Sequence, residues 1–137
     1  MKIKKITVSD LYEKEIKKFE NMNLLSDFKM SYCLISSEDI IFTGVLDGRI
    51  IGMAAIHKVG SQHYESLFVE VLPEHRGKKI STMLIEERYK FLQKEQAKLT
   101  IPNYTDIGRM TIKYYDEVFS KKYRVDVTPK AKNSPKP

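Results

Sequence analysis

The sequence predicts an α/β fold, a mixed (α+β) sheet carrying helices on its faces, and three observations lead there. Apolar runs of strand length follow one another at residues 40–46, 49–57 and 64–72. The first two are joined by Asp47-Gly48, a pair that tolerates the positive φ of a type I′ hairpin turn. After Pro73 the apolar residues shift to helical spacing, with one short strand-like interruption. The element order is β, α, α, β, β, β, α, β, α, β.

Residues 3–8 alternate Ile3, Ile6 and Val8 with lysines, which suits a lysine-guarded edge strand. Ser9 then offers a helix N-cap and Asp10 a favourable first-turn charge, and Tyr12, Ile16 and Phe19 fall on one face of a helix ending near Phe19. A second helix is predicted over 24–33, with Cys33 as a small apolar residue in it. As the only cysteine, Cys33 allows no internal disulfide and no cysteine-based metal cluster.

Along 64–72, period-two alternation puts Glu65 on one face with Leu67, Val69 and Val71. It puts Glu70 on the other with Tyr64, Ser66 and Phe68. Beyond Pro73, Ile80, Met83, Leu84 and Phe91 cluster on a helix running to about Gln93, flanked by Ile85, Tyr89 and Leu92. A strand at 99–101 stops at Pro102. A helix over 109–119 follows, with Met110, Tyr114, Tyr115 and Val118 inward, then a last strand over 123–127. These elements make one domain, 1–127. The end, TPKAKNSPKP, has three prolines, three lysines and little to bury, so 128–137 is expected to be a flexible basic tail.

The net charge of +6 is concentrated at that end, where six basic residues from Lys121 onward face a single acid, Asp126. No helix-turn-helix or zinc signature accompanies it, and no aromatics are interleaved with the basic residues, which argues against a nucleic-acid partner. No run approaches the roughly 18 apolar residues of a membrane span, and no signal-peptide core precedes the first strand. A cytoplasmic location without a membrane partner is the expectation.

The chemistry is concentrated between Val69 and Ser81, where a strand leads through a basic, glycine-containing loop into a helix. The first NH groups of a helix have no internal partners and the helix dipole is positive there, so this junction is an anion site. Arg76, Lys78 and Lys79 add charge and Gly77 allows close backbone approach, an arrangement suited to a diphosphate. Neither a Walker A loop nor G-x-G-x-x-G is present.

The pattern V-x-P-x-x-R-G-x-x-I-S, formed by Val71, Pro73, Arg76, Gly77, Ile80 and Ser81, resembles the coenzyme A signature of the GNAT acyltransferases. The element order over 1–127 is similar to theirs. The resemblance implies transfer of an acetyl group from acetyl-CoA to a primary amine by direct attack in a ternary complex, without a metal. It implies that the main chain of Val69, Glu70 and Val71 pairs with the pantetheine arm and that Arg76, Gly77, Lys78, Lys79, Ile80 and Ser81 hold the pyrophosphate. It further implies Glu65 as general base, with Glu70 as second candidate, and Tyr115 as the acid for the thiolate, with Tyr114 as fallback. The family usually has glycine at the place of Lys79, glycine or alanine at Ser81, and often asparagine at Gly108.

The acceptor, an amine-bearing small molecule or a protein or peptide, is not specified, and a homodimer is left open. Two rival functions are a non-catalytic GNAT-like interaction module and a nucleic-acid binding or base-modifying protein using the basic C-terminus. His63-x-Glu65 puts two metal-ligand types on one face without a third, and His57 and His75 are expected at the surface.

Overall fold

A computed structural model describes residues 1–8, 27–34, 36–102 and 107–130. Its six strands form one sheet in chain order: β1 (Lys2–Thr7), β2 (Ile40–Leu46), β3 (Arg49–Gly60), β4 (His63–Val71), β5 (Lys98–Ile101) and β6 (Val127–Pro129). β1 to β4 run antiparallel, joined between β2 and β3 by the expected hairpin, in which Asp47 and Gly48 have φ of 51° and 77°. β5 is parallel to β4, and β6 to β5. Parallel neighbours need crossovers, and the helices supply them: α1 (Ile80–Lys94) links β4 to β5, and α2 (Ile107–Tyr123) links β5 to β6.

The core has two faces. Under the helices, Ala54 and Ile56 of the sheet pack with Leu84, Tyr89 and Leu92 of α1 and Phe119 of α2. The opposite face buries Ile41, Met53, Ala55 and Phe68 with Phe28. α1 approaches the sheet closely at Gly52, where a Cβ would stand 3.0 Å from Leu84 Cδ1. β1 is an edge strand with Lys2, Lys4 and Lys5 exposed, as its lysines suggested.

Several sequence expectations are corrected. The first predicted helix falls outside the described residues, as does the start of the second. Where a helix over 24–33 was expected, residues Lys29–Cys33 form a 3₁₀ turn, and Cys33 is half-buried against the Phe28 side of the core. On α1, Met83 is exposed, whereas Arg88 is buried. On α2 the inward face is Ile112, Tyr115, Asp116 and Phe119, while Tyr114 and Val118 face solvent. α2 runs on to Tyr123 and ends at Arg124, in a left-handed conformation (φ 56°), with the Val125 NH returning to Ser120 O at 2.9 Å. That longer helix moves the last strand to Val127–Pro129, so Thr128 and Pro129, expected in the tail, belong to the sheet. Among the described residues no helix is long and apolar enough to cross a membrane.

The correction that matters most for the site is a β-bulge. Ala55 pairs with Phe68 and Ile56 with Ser66, which leaves Leu67 as an extra residue in β4. Strict alternation therefore breaks at Leu67. Tyr64 and Ser66 face the helices before it, and Val69 and Val71 do so after it. Glu65 and Glu70, placed on opposite faces by the period-two reading, lie on the same face, away from α1 and α2.

Candidate active site

β4 and β5 pair over only three residues: His63 with Lys98, Tyr64 with Leu99, and Glu65 with Thr100. Two local causes end the ladder. The bulge bends β4 just past Glu65, and Pro102, which has no NH to offer a ladder, follows the last residue of β5. From Ser66 to Val71, β4 keeps its β3 partner on one side and faces an opening on the other. That opening is a cleft of about 140 Å³ lined by residues 66–69 of β4, by Pro102, by Ile112 of α2 and by Met30.

At the end of β4 the chain makes a 3₁₀ turn, Pro73–His75, and then two left-handed positions, Gly77 (φ 81°) and Lys79 (φ 62°, ψ 20°). Lys79 is the N-cap of α1, and its carbonyl accepts the Met83 NH at 3.2 Å. The left-handed backbone at Lys79 gives the physical reason why glycine suits this position. Arg76 braces the loop: its Nε donates to Val71 O at 2.9 Å. Lys78 and Lys79 are exposed, Ser81 is half-buried, and Ile80 is buried beneath the sheet-facing side of the helix. Gly77 has open space where a Cβ would be. Left-handed residues alternating along a loop turn successive NH groups to one side, and α1 adds its own first-turn NH groups. The donors here therefore fit a diphosphate, and the strand edge beside them fits an amide-bearing chain such as pantetheine.

The two carboxylates differ sharply. Glu70 accepts the Lys29 NH at Oε2 (3.1 Å) and the Met30 NH at Oε1 (3.0 Å), so both its oxygens hold the 3₁₀ turn against β4. Glu65, in the last β4–β5 pair, meets Lys130 Nζ at 3.3 Å in a partly exposed ion pair. His63 Nε2 is 2.8 Å from Thr100 Oγ1 on β5. His57, expected as a plain surface residue, has Nδ1 2.5 Å from the buried Asp39 carboxylate. Tyr115 is half-buried, stacked on Phe119 with ring centroids 5.8 Å apart and edge-on to Tyr114 at 5.1 Å. The cleft reaches α2 at Ile112, one turn before Tyr115.

Sequence reasoning missed a buried polar network behind the cleft. Arg88 Nη1 donates to Ser66 Oγ at 2.9 Å, and Arg88 Nη2 donates to Asp116 Oδ1, which also accepts the Tyr89 hydroxyl at 2.7 Å. Position could have flagged it. Arg88 stands four residues after Leu84 and four before Leu92 on the apolar stripe of α1, and Asp116 lies between Ile112 and Phe119 on that of α2.

A sheet opened between two parallel strands, beside a basic loop that starts a helix, is the architecture of an acyl-CoA-dependent acetyltransferase. The family model described as the acetyltransferase (GNAT) family matches residues 6–117, and the chain belongs to that family of acyl-CoA N-acetyltransferases. No curated protein matches the chain. Among solved structures it resembles a ribosomal-protein-alanine N-acetyltransferase from Brucella melitensis biovar Abortus 2308, at 14% identity and a TM-score of 0.57, over 100% of this chain and 97% of the other. An aminoglycoside acetyltransferase from an uncultured soil metagenomic sample, in complex with trehalose, matches at 15% and 0.54 over 85% of each chain. A GNAT-family acetyltransferase from Streptococcus pneumoniae matches at 16% and 0.55, over 85% of this chain and 81% of the other. At these identities the likeness is one of fold.

Proposed function

We propose that the protein transfers an acetyl group from acetyl-CoA to a primary amine by direct attack in a ternary complex. The observation that carries this is the release of β4 from β5 immediately after Glu65, beside a loop whose left-handed residues lead into α1. In this reading the main chain of Val69, Glu70 and Val71 holds the pantetheine arm. Residues Arg76 to Ser81 hold the pyrophosphate, with Arg76 shaping the loop through its bond to Val71 O as well as supplying charge. Coenzyme A supplies the thioester.

Glu65 is the general base, taking the amine proton directly or through water; its place at the mouth of the splay favours it over Glu70, whose oxygens are engaged by Lys29 and Met30. Tyr115 gives its proton to the departing thiolate. The acceptor is an amine of a small molecule or of a polypeptide, and the solved relatives include one named for each kind. Calorimetry with acetyl-CoA, followed by thiol-release assays on a panel of polyamines, aminoglycosides and peptides, tests the proposal. Saturable binding and amine-dependent thiol release are expected, and absence of coenzyme A binding at millimolar ligand would overturn it.

A further inference from the structure

The Ser66 side chain stands between two environments. On one side its oxygen accepts the buried bond from Arg88 Nη1 at 2.9 Å; on the other, Ser66 forms part of the cleft wall. A guanidinium has only donors, so serine can only accept in this bond, and its own proton is left for a different acceptor. Arg88 is held in place by Asp116, whose carboxylate is held in turn by Tyr89. The polarity thus runs one way, from Asp116 through Arg88 to Ser66 and on into the cleft. The side chains around it are largely aliphatic, those of Leu67, Val69, Ile112, Pro102 and Met30, and a side-chain donor counts for more in such surroundings.

We propose that Ser66 donates a hydrogen bond to the acyl carbonyl oxygen in the cleft, and that Arg88 and Asp116 are positioning residues that fix the direction of this donation. The inference rests on the acetyl-transfer reading above. Attack by the neutral amine forms the C–N bond and moves the carbonyl pair onto oxygen. The pair returns as the C–S bond breaks, the amine proton going to Glu65 and the thiolate being protonated by Tyr115. Negative charge is greatest on the carbonyl oxygen midway, and a preset donor there lowers the barrier without reorganisation.

The test uses the full chain and a ketone analogue of acetyl-CoA, in which a methylene replaces the sulfur and the carbonyl carbon is labelled with ¹³C. Bound to the parent protein, the carbonyl resonance is expected to move downfield from its free position. The displacement should shrink in Ser66→Ala and in Asp116→Asn, and return in Ser66→Thr. Affinity for coenzyme A itself, which has no acyl carbonyl, should be unchanged in Ser66→Ala, while turnover falls on the order of 100-fold at constant KM for acetyl-CoA. A parent that fails to bind coenzyme A sinks the acetyl-transfer reading and this inference together. A parent that binds, with the same carbonyl resonance in Ser66→Ala, overturns the role of Ser66 alone; a resonance unchanged in Asp116→Asn overturns the positioning chain.

Discussion

Arg88 of α1 and Asp116 of α2 form an ion pair in which both side chains are wholly shielded from solvent. Removing one partner of such a pair strands the other charge, which costs about 3–5 kcal/mol, far more than an exposed pair contributes. Asp116→Leu should therefore be among the most destabilising single changes in the helices. Adding Arg88→Met should recover part of the loss, because the stranded guanidinium goes with it. Denaturant titration of the two singles and the double gives the coupling directly; a double mutant as unstable as the sum of the singles would contradict the pairing.

Gly77 and Lys79 have nearly the same left-handed φ, 81° and 62°, but only one of them is glycine. A side chain in that region costs about 1–2 kcal/mol. A Cβ at Gly77 meets no atom within 4 Å, so Gly77→Ala costs only backbone strain, partly offset by the stiffer unfolded chain, a net loss of about 0.5–1 kcal/mol. Lys79→Gly should stabilise by about 0.5–1 kcal/mol, the relief of strain being partly offset by the freer unfolded chain. Lys79→Ala should be close to neutral in stability. Comparing coenzyme A affinity in Lys79→Ala and Lys79→Gly then separates the lysine's charge from the backbone it strains.

Glu70 holds the 3₁₀ turn by both carboxylate oxygens, so its removal is a stability event. Glu70→Ala leaves the Lys29 and Met30 NH groups without this partner and should cost about 1–3 kcal/mol. Turnover per folded molecule should stay close to the parent value at 20 °C, whereas Glu65→Gln should lose it with little change in melting temperature. If Glu70→Ala abolishes turnover at full stability, the assignment of base between the two carboxylates must be reversed.

These carboxylates show where the sequence was legible. The hairpin at Asp47-Gly48 was, because a two-residue I′ turn has a local requirement that those residues meet. The turn into α1 was legible at Gly77, whose positive φ is a local requirement that glycine meets. The bulge at Leu67 was not: it depends on the register between β3 and β4, and one inserted residue reverses every side chain beyond it. Arg88 and Asp116 were hidden because a pattern of apolar and polar residues assigns charge to solvent, and each is buried only through a partner 28 positions away. The turn at Lys29–Cys33 likewise depends on a carboxylate 40 residues distant.

The acid side of the stability profile has an identifiable contributor. Glu86 of α1 accepts from Lys122 at 2.9 Å and from the Tyr123 hydroxyl at 2.5 Å, and these bonds, led by Lys122, hold its carboxyl below the usual value. A carboxylate with a lowered folded-state pKa stabilises the protein above its unfolded value, and this contribution is lost as the pH falls through the folded value. The window lies below about pH 4.5. Glu86 also raises the pKa of Tyr123, so the same cluster stabilises below the ordinary phenol range and loses that contribution as the pH rises through the elevated value. Glu86→Gln should lower the melting temperature modestly at pH 7, since the cluster is largely solvated, and the difference from the parent should close by pH 3. A difference that persists undiminished there would assign it to packing instead.

Tyr115 and Tyr114 are adjacent on α2, and their surroundings separate them. Tyr114 is 58% exposed, whereas Tyr115 is half-buried, packs against the helix-side core and stacks on Phe119 one turn on. Ile112, one turn earlier, lines the cleft, so Tyr115 lies on the inward face of α2 that continues from it. An acid that serves a buried thiolate has to come from that inward face, because a solvent-directed hydroxyl would need the helix to rotate by about 100°. Stacking on Phe119 restricts the ring of Tyr115, which suits a group that must meet the sulfur in one geometry. Tyr115→Phe keeps that stack and removes only the hydroxyl, so it should preserve fold and acetyl-CoA affinity while turnover drops on the order of 100-fold. Tyr114→Phe should turn over like the parent. Full turnover in Tyr115→Phe with loss in Tyr114→Phe would mean that the outward tyrosine swings in on binding. Full turnover in both would mean that the thiolate leaves without a proton from α2.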